Sequence, residues 1–355
     1  MSLSGLVVKY AWATPRSMPD AAPIYMRERY QSLFAAHDGC EAKLLACRAG
    51  DLRSWLPMLV RDMGGGVREA YSAYGYGGFF GDLTLEEADI DSLRRHLADE
   101  GIVALFLRHS PFLNNRRALP DSLSRLNRHT YAATLQAEES FSQLLARIPQ
   151  KLRWSANFAS RAGLKVHFHP LSDCPDEKIL AFYREYVALM AAKDTSDYYH
   201  FSESFFLDHA RRLGGDCELA EVVDGSGQFL GGAFFLLDQA GWVHYHLSTA
   251  RREAMRLQGM ELLMLSAFHR YGGRGHRSLH LGGGHSLDET DGLSRFKAKF
   301  ASVKLDFHCT SLICDERTYL HERARLPLAY PSFFLISDAR GVPLKPVNGR
   351  MEQPA

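Results

Sequence analysis

The chain has 355 residues, 46% of them hydrophobic and 23% charged, with a net charge of +1. That is the composition of a soluble globular protein long enough for two domains, and its charge balance excludes a global field that would draw nucleic acid or membrane. The six cysteines form no CxxC pair, the start "MSLSGLVVKY" holds no secretory apolar run, and no stretch approaches the ~20 apolar residues of a membrane span. The expectation is a cytoplasmic protein with reduced thiols, with peripheral membrane contact left open.

"EAKLLACRAG" and "RSWLPMLVRD" predict a hairpin about Gly50 and Asp51, and "VREAYSAYGYGG" a third strand or its approach. Thr84 and Glu87 fit a capping box for a helix over about residues 86–99, with Ile90, Leu93 and Leu97 on one face and Gly101 as its stop. "IVALFLRHS" and "HTYAATLQ" read as strands. A helical stretch from Glu138, broken at Pro149, suggests a domain boundary. Two amphipathic helices follow, one over 176–191 with Ile179, Phe182, Tyr186 and Leu189 on a face, the other capped by Ser202.

The second half is sharper. "DGSG" and "DQAG" separate three apolar strand-length runs into an antiparallel meander. "MELLMLSAFHRY" is apolar on nearly every side, as a buried helix is, and Gly272 and Gly273 end it. Then come the strand "SLHL", three glycines, the helix "GLSRFKAKF" and the strand "VKLDFHCTSLIC". The order is βββ-α-β-α-β, and the first half carries a fainter copy. The predicted fold class is therefore α/β (α+β), two copies of one unit. Residues 1–150 are expected to form the first domain and residues 151–319 the second; 339–355 are a polar, Pro- and Gly-containing tail.

Gly282, Gly283 and Gly284 follow a strand's carboxyl end, where α/β folds place ligands, and glycine lets a ligand approach the backbone. Leu293, Phe296 and Phe300 share a helical face expected to pack inward. Lys297 borders it and can aim its ammonium into a cleft. Spacing alone equally allows a plain loop with a surface lysine. "RLQGME", Arg256 to Glu261, resembles the Q/R-x-x-G-x-G/A loop with which GNAT acyltransferases hold the coenzyme A pyrophosphate. Arg256 and Gly259 match; Glu261 does not, and like-charge repulsion predicts weak coenzyme A binding. Tyr74 and Tyr76 in "YGYGG", and Tyr198 and Tyr199 in "DYYHF", suit sugar or peptide recognition, or equally a core-edge cluster. The histidine pairs His244/His246 and His280/His285 lack the carboxylate or cysteine of a familiar metal spacing, so no metal is expected.

As a whole, "LHLGGG" followed by "DGLSRFKAKF", with "YGYGG", "KLRWSANFASRAGLKV" and "FYREYVALMAAKDTSDYYHFSESFF", resembles the Fem-type (FemABX) aminoacyltransferases and the related BioF2-like branch of the GNAT superfamily. The resemblance spans roughly residues 40 to 335. It implies tandem GNAT-like domains, each a mixed, largely antiparallel sheet flanked by helices, with the segment 320–338 returning to complete the first. It implies amide formation from aminoacyl-tRNA or acyl-CoA, with no tightly bound cofactor, on an amine of a cell-envelope, peptidoglycan-like precursor or a sugar or peptide acceptor. The family's Phe-Lys pair maps onto Phe296 and Lys297 as the catalytic pair, with Arg256, Gly259, Gly282, Gly283 and Gly284 at the donor and the four tyrosines at the acceptor. The alternatives are an O-acyltransferase of exopolysaccharide biosynthesis, with His246 or His285 as base, and a non-catalytic binding module. Arg251, Arg252, Arg256, Arg270, Arg274 and Arg277 cluster in sequence as tRNA contacts or as a solvated face.

Overall fold

The computed structural model describes residues 7–137, 139–193, 199–284, 287–325 and 334–336. In chain order the elements are β1 (Lys9–Ala13), α1 (Glu28–Asp38), β2 (Glu41–Ala49), β3 (Leu52–Gly64), β4 (Val67–Tyr71), β5 (Phe80–Gly81), α2 (Glu87–Asp99), β6 (Ile102–Arg108) and β7 (Ser124–Thr134). They continue with α3 (Phe141–Arg147), α4 (Gln150–Arg161), β8 (Lys165–Pro170), α5 (Asp176–Ala192), α6 (Glu203–Leu213), β9 (Cys217–Val223), β10 (Phe229–Leu237) and β11 (Trp242–Ala250). Last come α7 (Arg252–Arg256), α8 (Gly259–Gly273), β12 (Ser278–Gly283), α9 (Gly292–Ala298), β13 (Val303–Ile313) and α10 (Glu316–Ala324).

Two compact units result: Met1–Arg128 with Asp306–Ala355, and His129–Leu305. The cuts expected at 150 and 319 thus fall elsewhere, for a reason of pairing. Residues 130–134 of β7 pair with β12, and Leu144 and Ile148 join the core of the second unit. Residues 309–313 of β13 pair with β6, in the first. The tail 339–355 lies outside the described residues.

In the first unit the meander β2-β3-β4 is followed by α2, and β6 then pairs parallel to β4 and antiparallel to β13. The cap of α2 lies two residues beyond the predicted one. Glu86 is the N-cap and shares a capping box with Asp89, so Thr84 is not used. In the second unit β9-β10-β11 is followed by α8, and β12 pairs parallel to β11 and antiparallel to β7. The strand β8, inside the stretch predicted as helical, forms the far edge on β9.

Strand alternation builds the two layers of the second unit. Phe234 of β10 stacks on Phe182 of α5 at 4.7 Å between ring centres. Its neighbour Phe235 meets Tyr271 of α8 at 5.3 Å, on the other face. Helices α5 and α6 therefore cover one face, while α8, with α3, α4 and α9 packed about it, covers the other. Among the described residues no helix is long and apolar enough to cross a membrane.

Arg270 and Arg274 of the sequence cluster are held in this unit by Glu218 of β9. Arg270 grips both carboxylate oxygens at 2.8 and 2.9 Å, and Arg274 adds a third bond at 2.6 Å. Burial works to raise the Glu218 pKa, and the two guanidiniums outweigh it, leaving the carboxyl below its usual range. A carboxyl lowered in the fold stabilises above its unfolded pKa and loses that contribution as pH falls through its folded value. Glu218→Gln should therefore cost about 3 kcal/mol at neutral pH, the lower end for a broken buried pair because both guanidiniums reach solvent. Urea unfolding of parent and variant should show the difference shrinking below about pH 4, as Glu218 itself protonates.

Candidate functional site

The parallel ladder between β11 and β12 has three rungs: Trp242 to Ser278, Val243 to Leu279 and His244 to His280. There it stops among the described residues, although β11 runs on to Ala250 and β12 to Gly283. A parallel sheet that parts at its carboxyl ends offers main-chain groups to a ligand, at the end where α/β sheets bind them. The long helix α8 begins beside this gap. Its N-cap Gln258 is in the left-handed region at φ 60° and gives no side-chain cap, so the first amides of α8 have no cap from that side chain.

On the other flank stands α9. Asp291 caps it, accepting from the amides of Leu293 (2.9 Å) and Ser294 (3.0 Å) and from the Ser294 hydroxyl. This turn presses on Gly284, where a Cβ would overlap Ser294 Oγ and crowd Asp291 Oδ2. One turn along, Lys297 is buried, at 8% exposure, and its Nζ donates to Gly283 O at 2.6 Å. A Cβ on Gly282 would stand 3.2 Å from that Nζ.

The predicted face of α9 is thus turned. Ser294 and Lys297 are its buried residues, while Phe296 is half-buried and Phe300 buried beyond the helix. The helix is seven residues long, and the Asp291 cap with the lysine's bond to the strand sets its rotation more than its apolar periodicity does. Phe296 rests edge-on against Phe300 at 5.2 Å, under the Lys299 ammonium at 5.6 Å. Phe296→Ala should lower stability on the order of 2 kcal/mol, less than a fully buried ring, which a melting curve will register.

Three glycines assigned to ligand approach make room for the chain's own atoms. Gly282 and Gly284 admit Lys297 and the cap of α9. At the start of α8, a Cβ on Gly259 would lie 3.1 Å from Val222 and 3.2 Å from Leu164, so this glycine serves helix-on-sheet packing. Gly282 and Gly283 also lie within β12, opposite Tyr131 and Thr130, not beyond its end. Arg256 is exposed at the end of α7. Glu261 is turned to Lys299, which donates to its carboxylate at 3.0 Å. The carboxylate that the sequence set against a phosphate is thus already paired within the protein.

The histidines make a buried neutral layer beneath. His280 Nε2 lies 3.1 Å from Thr130 Oγ1, and its ring meets His244 edge-on at 5.7 Å. Burial, with His244 and the Lys297 charge, pushes the His280 pKa well below its usual value. His246 packs on His209 of α6, and burial drives its pKa down likewise.

The tyrosines expected at the acceptor fall in both units. Tyr74 and Tyr76 belong to the first unit. Tyr76 is 8% exposed and met edge-on by Tyr25, Phe112 and Phe307, so its ring is part of a packed aromatic cluster. Tyr199 leads into α6, which covers the sheet face opposite α8 and α9. Tyr198 and His285 lie outside the described residues. The sequence reading missed the partner of Lys297, Gly283 O. It also missed the Asp291–Ser294 clamp, for which "DGLS", an N-cap aspartate three residues before a serine, is the available signal.

The acetyltransferase (GNAT) domain family matches residues 147–297, wholly inside the second unit. No curated protein sequence matches the chain. Among solved structures, FemX superposes with a TM-score of 0.64 at 13% identity, over 88% of this chain and 99% of its own. A putative lysylphosphatidylglycerol synthetase C-terminal domain from Agrobacterium fabrum gives 0.49 at 18% identity, over 72% and 80%. A tandem GNAT protein from the clavulanic acid biosynthesis pathway gives 0.48 at 11%, over 86% and 98%.

Proposed function

We propose, from the premise that this chain is an acyltransferase with a GNAT domain and a FemX-like fold, that it forms an amide by moving an acyl or aminoacyl group onto an amine of a cell-envelope precursor. The donor is an acyl-coenzyme A or an aminoacyl-tRNA. The observation that carries this reading is Lys297, a buried ammonium fastened to the last residue of β12 beside the parted strands. Keeping a charge so deeply buried costs stability, which a plain surface lysine would not incur.

In the proposed reaction the amine nitrogen attacks the acyl carbonyl carbon and a C–N bond forms. The carbonyl oxygen takes up negative charge, which Lys297 stabilises. The intermediate collapses by breaking the C–S bond of a thioester or the C–O bond of an aminoacyl ester. The proton shed by the amine leaves with that thiolate or alkoxide. An amine is favoured over a hydroxyl acceptor because a neutral amine attacks without a base, whereas a hydroxyl needs one.

The test is thermal shift and calorimetry against coenzyme A, acyl-coenzyme A and charged tRNA, followed by single turnover with an amine-bearing muropeptide precursor. One donor should bind and yield an amide. Binding of none of them, or a hydroxylamine-labile ester as product, overturns the reading.

A further inference from the structure

From Ser140 to Ser172 the chain carries five Lys and Arg residues and no Asp or Glu, in a protein whose net charge is +1. Helix α4 lies in this segment. It buries Leu152, Ala156 and Ala159 in the core about α8. At helical spacing on its outer side it carries Lys151, Trp154, Phe158 and Arg161. Trp154 is 54% exposed, and its ring stacks on Phe158 at 5.1 Å. Helix α7 is tied alongside. The Gln258 side chain accepts from Ser155 Oγ at 3.0 Å and donates to Met255 O at 3.3 Å. Met255 is itself 49% exposed. No carboxylate pairs with Lys151, Arg153 or Arg161 among the described residues. Two large exposed apolar side chains ringed by unneutralised cations mark an interaction surface rather than a solvated face.

We propose that this face, α4 with α7, docks the protein on an anionic lipid bilayer. Trp154 and Met255 enter the headgroup region, while Lys151, Arg153 and Arg161 meet lipid phosphates. The geometry favours a bilayer over nucleic acid. A nucleic-acid strand is held by a groove that tracks its backbone and by open ring faces on which bases stack. Here the cations sit on the outer side of a helix, Phe158 covers one face of Trp154, and a methionine stands among the exposed groups. Because α4 has its main apolar side committed to α8, only side-chain tips enter the lipid. Binding is therefore reversible and weakened by salt.

Flotation of the full chain with phosphatidylcholine vesicles, with and without phosphatidylglycerol, tests this. The protein should float only with the anionic lipid, and its tryptophan emission should shift to the blue. Lys151→Glu with Arg161→Glu should weaken binding at least about tenfold at an unchanged melting temperature. Trp154→Ser should abolish the emission shift. Acyl transfer to a soluble acceptor should be the same in these variants and the parent, so the outcome is independent of the proposed reaction. Absence of flotation, equal flotation of the charge-reversed variant, or binding to RNA without binding to vesicles overturns the proposal.

Discussion

Lys297→Met should leave the fold standing and lower turnover about 100- to 1000-fold, a loss of about 2.7–4 kcal/mol of transition-state stabilisation. Methionine keeps the stem that fills the space between α9 and β12. It removes an ammonium that is 8% exposed and bonded to Gly283 O at 2.6 Å. Two changes in stability oppose each other. The strand carbonyl loses a donor, and a buried charge is no longer desolvated, so the melting temperature should move by only a few degrees. Single-turnover acyl transfer and melting curves on the same preparations separate the readings. A variant as active as the parent would leave Lys297 a structural pin between α9 and β12. A variant that unfolds would assign the same. Only retained stability with lost turnover supports the role at the acyl carbonyl.

Gly284→Ala should damage the site through its geometry. The new Cβ would occupy the position of Ser294 Oγ, so the first turn of α9 must move away from β12. Overpacking of this kind costs typically about 1–3 kcal/mol. Because Lys297 lies one turn further along α9, a displacement of about 1 Å there can cost on the order of 100-fold in rate. Ser294→Ala deletes the obstructing hydroxyl and leaves the lesser clash with Asp291 Oδ2, at 2.5 Å, and a tight contact at 3.1 Å with the Cβ of residue 294. The double variant should therefore be more active and more stable than Gly284→Ala alone, a non-additivity measured by a double-mutant cycle. Strict additivity would mean that the clamp does not position α9.

The sequence by itself determined the elements whose causes are local. Glycine stops, turn tetrapeptides and alternating or all-round apolar runs are signals within a few residues of what they specify. The meander β9-β10-β11, the buried helix α8 and the short α9 accordingly lie where "DGSG", "DQAG" and Gly272–Gly273 put them. The motif of three glycines followed by a Phe-Lys pair was legible in the same way, and the acyltransferase class came from the family resemblance that motif carries. Only tertiary structure decided what those residues are for. Whether a glycine admits a ligand or a neighbouring side chain depends on what faces its missing Cβ. For Gly259, Gly282 and Gly284 those neighbours are Val222, Lys297 and Ser294, up to tens of residues away in the chain. The rotation of α9 likewise follows a hydrogen bond to a strand carbonyl, which no periodicity encodes. So it was packing that made Lys297 the buried residue and left Phe296 half-exposed, the reverse of what their spacing predicts. The unit boundaries were undecidable for the same reason: a strand belongs to the sheet that pairs with it, and the partners of β7 and β13 lie more than a hundred residues away.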